Sequence, residues 1–262
     1  MTHPLIFFRN LVRTIFISTF IGKIFRQILA RPATGVIHLV CATRKSKHDF
    51  WKNTALGKSL LPFINNPLLQ LHIHFENTRG LPAIYNPFLA NTAQKDILLF
   101  VHDDIWLDSP DWMERLRKGL GHFDIIGVAG NLRLSPTQPA WLFKAIVNDK
   151  FVWDYDFLSG EVGHGKSANG RVQRYGPTPI ECKVLDGVLL GMRCKNAQRA
   201  RLRFDETFQF NFYDMDICRS AARAGLTMGT WPIRITHQSK GVFGSPDWLA
   251  SYGKYLAKWN SR

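Results

Sequence analysis

Carboxylates are scarce in this sequence. Its 262 residues hold 20 Asp and Glu against 34 Lys and Arg, a formal net charge of +14. A chain so basic calls for an anionic partner: phospholipid headgroups, a nucleotide, a phosphorylated glycolipid or nucleic acid. The shortage is sharpest at the start, where residues 1–60 carry ten basic side chains and one acid, Asp49. Cysteine is also scarce. Cys41, Cys182, Cys194 and Cys218 show no C-x-x-C spacing, which argues against a disulfide framework and predicts reduced, buried thiols in a cytoplasmic protein. No apolar run reaches the roughly 20 residues a membrane span needs; only nine residues separate Arg13 from Lys23. No small-residue cleavage site follows the apolar part, so a secretory signal is not expected. Internal repeats and low-complexity segments are missing too. What is abundant is apolar and aromatic residues, 45% and 13%, enough for a sizeable core.

Residues 1–34 read as a separate unit, a basic amphipathic helix and a linker. Ile6, Leu11, Ile17, Ile21, Ile24 and Ile28 share a broad apolar face opposite Arg9, Arg13, Lys23 and Arg31. Such a helix suits the plane of an anionic membrane surface, which predicts a peripheral protein on the inner face of the membrane. Packing on the body of the protein, or on a second subunit of an oligomer, is the alternative. Arg31 to Gly35 is the expected linker.

From residue 35 onward, apolar strands alternate with helices. Strands are expected over 36–41, 68–75, 97–102, 124–129, 184–192 and 227–235, and helices over 46–60, 81–93, 109–121, 213–224 and 248–259. This rhythm predicts an α/β fold with a doubly wound, mainly parallel sheet spanning 35–262. Residues 131–180 break the rhythm with prolines, aromatics and a glycine-rich run, and read as a variable, acceptor-side insertion. His72 and His74 share one face of their strand and read as packed or edge residues rather than metal ligands.

The most informative stretch runs Ile97-Leu98-Leu99-Phe100-Val101-His102-Asp103-Asp104. An apolar run of this length is a buried parallel strand, and open α/β sheets bind ligands at the carboxyl ends of such strands. Two carboxylates there can hold a divalent cation, and through it a diphosphate. Downstream come Asp186-Gly187, then Tyr213-Asp214-Met215-Asp216-Ile217-Cys218-Arg219, then His237. In order and spacing these pieces resemble the GT-A fold, family-2-like nucleotide-sugar glycosyltransferases over roughly residues 35–260. Two positions depart from that pattern. His102 stands at the first position of the metal motif, and Tyr213 stands where a Glu precedes the catalytic Asp.

The resemblance implies a metal-dependent, inverting transfer of a sugar from a nucleotide diphosphate donor, a UDP-sugar foremost, to a glycan or lipid-linked acceptor in cell-surface polysaccharide synthesis. It places Asp104 and His237 on Mn²⁺ or Mg²⁺, and Asp103, Thr43, Glu76 and Asn86 on the ribose and base. Asp214 becomes the general base, with Asp216 second and expected to pair with Arg219. The competing readings are a catalytically inactive nucleotide-sugar-binding protein and a basic nucleic-acid-binding module. The absence of any nucleic-acid recognition motif disfavours the second, so no nucleic-acid partner is expected. A nucleotidyltransferase would need glycines after the first strand, and Cys41-Ala42-Thr43-Arg44-Lys45 has none.

Overall fold

The computed structural model describes residues 31–239 and 241–260. The amphipathic helix read at the N-terminus lies, up to residue 30, outside the described residues. The connection that follows is not a loose linker. The Ala33 N–H donates to the Arg117 carbonyl, and the Arg117 guanidinium donates back to the carbonyls of Ala33 and Gly35.

In chain order the strands are β1 (Ile37–Ala42), β2 (Leu69–His74), β3 (Ile97–Val101), β4 (Ile105–Leu107), β5 (Ile125–Gly127), β6 (Ala129–Asn131), β7 (Phe143–Val147), β8 (Lys150–Trp153), β9 (Leu158–His164), β10 (Arg171–Gly176), β11 (Ile180–Glu181), β12 (Val184–Leu185), β13 (Leu189–Arg193), β14 (Met228–Thr230) and β15 (Ile235–His237). The helices are α1 (Lys47–Asn53), α2 (Ala55–Leu60), α3 (Leu81–Asn91), α4 (Trp112–His122), α5 (Cys194–Arg199), α6 (Tyr213–Arg223) and α7 (Pro246–Asn260).

The main sheet has seven strands in the order β11-β14-β5-β13-β3-β1-β2. β1 pairs parallel with β2 and β3, and β14 parallel with β5, while β13 runs antiparallel between β3 and β5. The doubly wound, mainly parallel reading is therefore correct, with β13 and the edge strand β11 as the reversed members. All five residues of β3 are buried, as a strand covered by helices on both faces requires. The four cysteines are free and buried, as expected.

A second sheet, β12-β6-β9-β15-β4 with β10 beside β9, stands at the carboxyl end of the first. The chain crosses between the two sheets repeatedly: from β3 to β4 through residues 102–104, from β5 to β6 through Val128, and from β12 to β13 through residues 186–188. These crossings correct the sequence reading, as does the run 227–235, which is divided between β14 in the first sheet and β15 in the second. The runs 124–129 and 184–192, expected as single strands, are each split between the sheets. In the second run the break is polar, because Asp186 turns the chain by accepting the Val188 N–H. The segment 131–180 is likewise more integrated than a surface insertion, since β9 lies between β6 and β15. Its peripheral part is the β7–β8 hairpin, whose turn residues Asn148 and Asp149 have left-handed φ.

The single helix expected over 46–60 is also two. Thr54 is extended, ends α1 through its N–H to the Phe50 carbonyl, and starts α2 by accepting the Gly57 N–H. One threonine performs both caps, and its local hydrogen bonds outcompete a continuous helix.

At the C-terminus, α7 lays Trp248, Tyr255 and Trp259 into the core. Lys258 forms ion pairs with Asp205 and Asp216, and the Trp259 indole N–H donates to Asp216. Among the described residues no helix is long and apolar enough to cross a membrane.

Candidate metal and nucleotide site

The crossing between β3 and β4 carries His102, Asp103 and Asp104 out of the buried strand to the seam between the sheets. β15 pairs antiparallel with β4 and sets His237 opposite Ile105. The His237 ring meets the Asp104 carboxylate at 3.2 Å, and the Ser239 hydroxyl lies 3.0 Å from the same ring nitrogen. His102, Asp104 and His237 each bring one ligand atom within 4.8 Å of the others. The second oxygen of Asp104, Oδ1, is buried without a hydrogen-bond partner. A buried carboxylate oxygen left bare costs more than a satisfied one, and a divalent cation would satisfy it. The donor set fits such an ion. Two imidazoles with one carboxylate suit Mn²⁺ better than Mg²⁺, which prefers an all-oxygen shell.

The electrostatics agree. Burial opposes ionisation of Asp104, yet the His237 and His102 rings hold its carboxyl down at about 2. Burial, opposed by Asp104 and aided by His237, pushes the His102 imidazole down to about 4, so the ring is neutral near pH 7 and able to ligate. Burial also disfavours charge on His237, but Asp104 and Asp186 outweigh it and raise its pKa. A cation binding here must displace the proton of His237, so its affinity falls as the pH drops.

The start of α6 lines the same cavity. Phe212 precedes it in the left-handed region (φ 67°) and is held there between Trp248, Tyr252 and Tyr255 of α7. A non-glycine residue in this conformation costs energy that the surrounding packing must offset. The turn aims Tyr213 and Asp214 at Gly187. The Gly187 N–H donates to Asp214 (3.1 Å), and the Gly187 carbonyl accepts the Tyr213 hydroxyl (2.9 Å). Any side chain at 187 would collide, since a Cβ there would sit 2.3 Å from the Tyr213 hydroxyl. This is the physical reason for glycine after Asp186. Burial, and then the charge of Asp186, push the Asp214 carboxyl up to about 7. The backbone N–H groups of Met215, Gly187 and Asp214 itself work against that rise and do not cancel it.

These groups line one cavity of about 340 Å³, walled further by Trp141, His164, Tyr175, Phe210 and Trp248. Of the residues singled out in the sequence, the structure brings Asp103, Asp104, His237 and Asp214 to this cavity. Thr43 stands behind it and donates its hydroxyl to Asp103. Glu76 is exposed on the loop after β2, with φ 49° and its N–H on the Lys45 carbonyl, and does not line the cavity. Asn86 is buried in α3 and spends its amide on the backbone of Phe204 and on Glu206. Asp216 does not pair with Arg219. It is buried against Lys258 and Trp259, while Arg219 donates to Tyr255 and to the carbonyls of Ser135 and Pro136. The aromatics of 131–180 divide as well. Trp141 and Tyr175 face the cavity, whereas Trp153 and Tyr155 stack on each other outside it.

Three site residues had no role assigned in the sequence reading: His102 as a ligand, Asp186 as the neighbour that tunes Asp214, and Tyr213. The signal for the first was in plain view, since His102 and Asp104 lie two apart at a strand end.

No family model matches the sequence, and no curated protein matches it. Among solved structures, GalNAc-T7 with UDP, GalNAc and Mn²⁺ aligns at TM-score 0.47 and 12% identity, covering 85% of this chain and 47% of that one. S. aureus TarS residues 1–349 aligns at TM-score 0.46 and 12% identity, covering 85% and 64%. The mannosyltransferase PcManGT from Pyrobaculum calidifontis with GDP-Man and Mn²⁺ aligns at 0.43 and 9%, covering 96% and 73%. The chain thus spans about half to two thirds of the first two.

Proposed function

We propose that this chain is a metal-dependent, inverting glycosyltransferase that moves a sugar from a nucleotide diphosphate donor to a glycan or lipid-linked acceptor. The reading rests above all on one juxtaposition: a His102–Asp104–His237 cluster with a bare buried oxygen faces the same cavity as a carboxyl poised at about 7. A divalent ion held by the cluster would neutralise the diphosphate as it leaves. Asp103, held by Thr43, is placed beside the cluster to orient the ribose. Asp214 takes the proton of the acceptor hydroxyl while that oxygen bonds to the anomeric carbon and the bond to the diphosphate breaks. A base that assists attack from the side opposite the leaving group gives inversion by direct displacement. Tyr213 in place of Glu leaves the base position itself filled, which favours an enzyme over an inactive binding protein.

Calorimetry with UDP and GDP, each with and without Mn²⁺, tests the reading, followed by hydrolysis assays on a panel of nucleotide sugars. Binding of one diphosphate only when Mn²⁺ is present is the expected result, with UDP the first candidate. Metal-independent binding, or none, would overturn it.

The N-terminal segment belongs to the same proposal. Residues 1–30 carry Arg9, Arg13, Lys23 and Arg26 and no acid. Each basic residue near an anionic bilayer contributes about 1 kcal/mol, so up to roughly 4 kcal/mol in all, before apolar insertion is added. The full chain is expected to co-sediment with anionic vesicles, less so at high salt. A chain starting at Arg31, which keeps the fixed connection to α4, should not co-sediment and should still bind nucleotide. Equal sedimentation of both would instead assign the segment to packing or to an oligomer. Membrane attachment on the cytoplasmic side, near a lipid-linked acceptor, and a role in surface polysaccharide synthesis follow from this reading.

A further inference from the structure

Tyr213 stands where the resembled pattern carries a Glu, and the site as described gives its hydroxyl two neighbours. One is the Gly187 carbonyl at 2.9 Å, the other the Nε2 of His102 at 2.8 Å. A phenol has one proton to give. The Gly187 carbonyl can only accept, and without the phenol it would be a buried oxygen with no donor. The proton therefore goes to Gly187, and the phenol oxygen accepts from His102. That requires hydrogen on Nε2 and leaves Nδ1 of His102 with its lone pair. We infer that Tyr213 is a positioning residue that fixes His102 in the Nε2–H tautomer and so presents Nδ1 as a metal ligand. The inference rests on the metal-dependent reading above.

The surroundings hold this arrangement rigidly. Tyr213 is 3% exposed and wedged between Tyr85 and Phe204, with ring centroids 6.2 and 6.1 Å away. The His102 ring lies near-parallel to Phe210, and its backbone N–H is tied to the Val188 carbonyl. A ligating histidine that donates its other nitrogen to an oxygen is the usual way a ring is held in register with a metal. A glutamate could accept the same proton. In this chain it would add a third carboxylate beside Asp186 and Asp214, whose charges already oppose each other. A neutral hydroxyl orients His102 without that repulsion. The absence of a side chain at Gly187 is what lets the hydroxyl approach.

Two measurements on the full chain test the inference. The first is ¹⁵N NMR of the histidine rings without metal. The Nε2–H tautomer of His102 is expected in the wild-type chain, and a Tyr213→Phe chain should show a mixture. The second is titration with Mn²⁺ alone, followed by electron paramagnetic resonance. Tyr213→Phe should weaken Mn²⁺ about 10- to 100-fold, the usual effect of losing an outer partner of a ligating histidine. His102→Ala should weaken it at least as much, and the double variant should match His102→Ala alone, because both changes remove one ligand. A purely structural tyrosine would lower the melting temperature without making the two substitutions non-additive. A wild-type Nδ1–H tautomer, or additive losses, would overturn the inference. If wild-type chain binds no Mn²⁺ at all, the metal reading itself falls, and the tautomer measurement still reports whether Tyr213 sets the ring.

Discussion

Asp214→Asn is expected to cut sugar transfer by about 10²–10⁴-fold, the usual size of general-base catalysis, while donor and Mn²⁺ binding stay nearly unchanged. Asparagine keeps an oxygen to accept the Gly187 N–H, so the turn that presents residue 214 survives. It cannot take a proton. The pH profile makes the assignment specific. Burial, then Asp186, hold the Asp214 carboxyl at about 7. The base works only when deprotonated, so wild-type turnover should rise through pH 7 and level off above it. The Asn variant should lose that limb. Asp186→Asn removes the neighbouring charge and should move the limb to lower pH. Asp216→Asn behaves differently, because Asp216 pairs with Lys258 and Trp259 rather than facing the cavity. It should lower the melting temperature through a loosened α7 and leave the limb at pH 7. Were Asp216→Asn to lose the limb and Asp214→Asn to keep it, the base would have been assigned to the wrong carboxylate.

Much of the main sheet was legible in the sequence because burial on both faces leaves an unbroken apolar run, as in residues 97–101. The second sheet was not legible in this way. Four of its strands, β4, β6, β12 and β15, are short pieces adjoining main-sheet strands in the chain, and a run such as 124–129 has no polar break to announce that the chain changes sheets at Val128. The site shows the same division. Asp104, His237 and Asp214 stand at strand ends or a helix start, where local patterns point outward. Their partnership with Asp186 and Tyr213 depends on a crossing more than 80 residues downstream of β3 and on the left-handed turn at Phe212. The crossing shows locally only as Asp186-Gly187, and the turn leaves no local signature, since it is held by aromatics from α7 rather than by a glycine. Asn86 and Asp216 show the converse. Each is a polar residue with a rational local role, yet each is consumed by a distant buried partner, the 204–206 segment in one case and Lys258 in the other.

Asp104→Ala should abolish Mn²⁺-dependent binding of a nucleoside diphosphate. Asp104 supplies the only carboxylate of the three-residue cluster and the buried oxygen that lacks a partner. The loss should exceed the 10- to 100-fold seen when an outer partner of a ligand is removed. The fold should hold, because the seam at this point is carried by backbone: the Gln238 N–H donates to the Asp104 carbonyl, and the His102 N–H to the Val188 carbonyl. The wild-type affinity should itself depend on pH. Asp104 and Asp186 raise the His237 pKa against the pull of burial. Mn²⁺ must compete with that proton, so binding should weaken as the pH falls through the titration of His237 and strengthen above it. The Ala variant loses the carboxylate that favours the protonated ring, so its residual binding should depend less on pH. Mn²⁺ titrations of both chains at several pH values, with and without UDP, read all of these effects. Undiminished UDP affinity in the Ala variant would place the cation elsewhere, and an unaltered pH slope would detach His237 from the site.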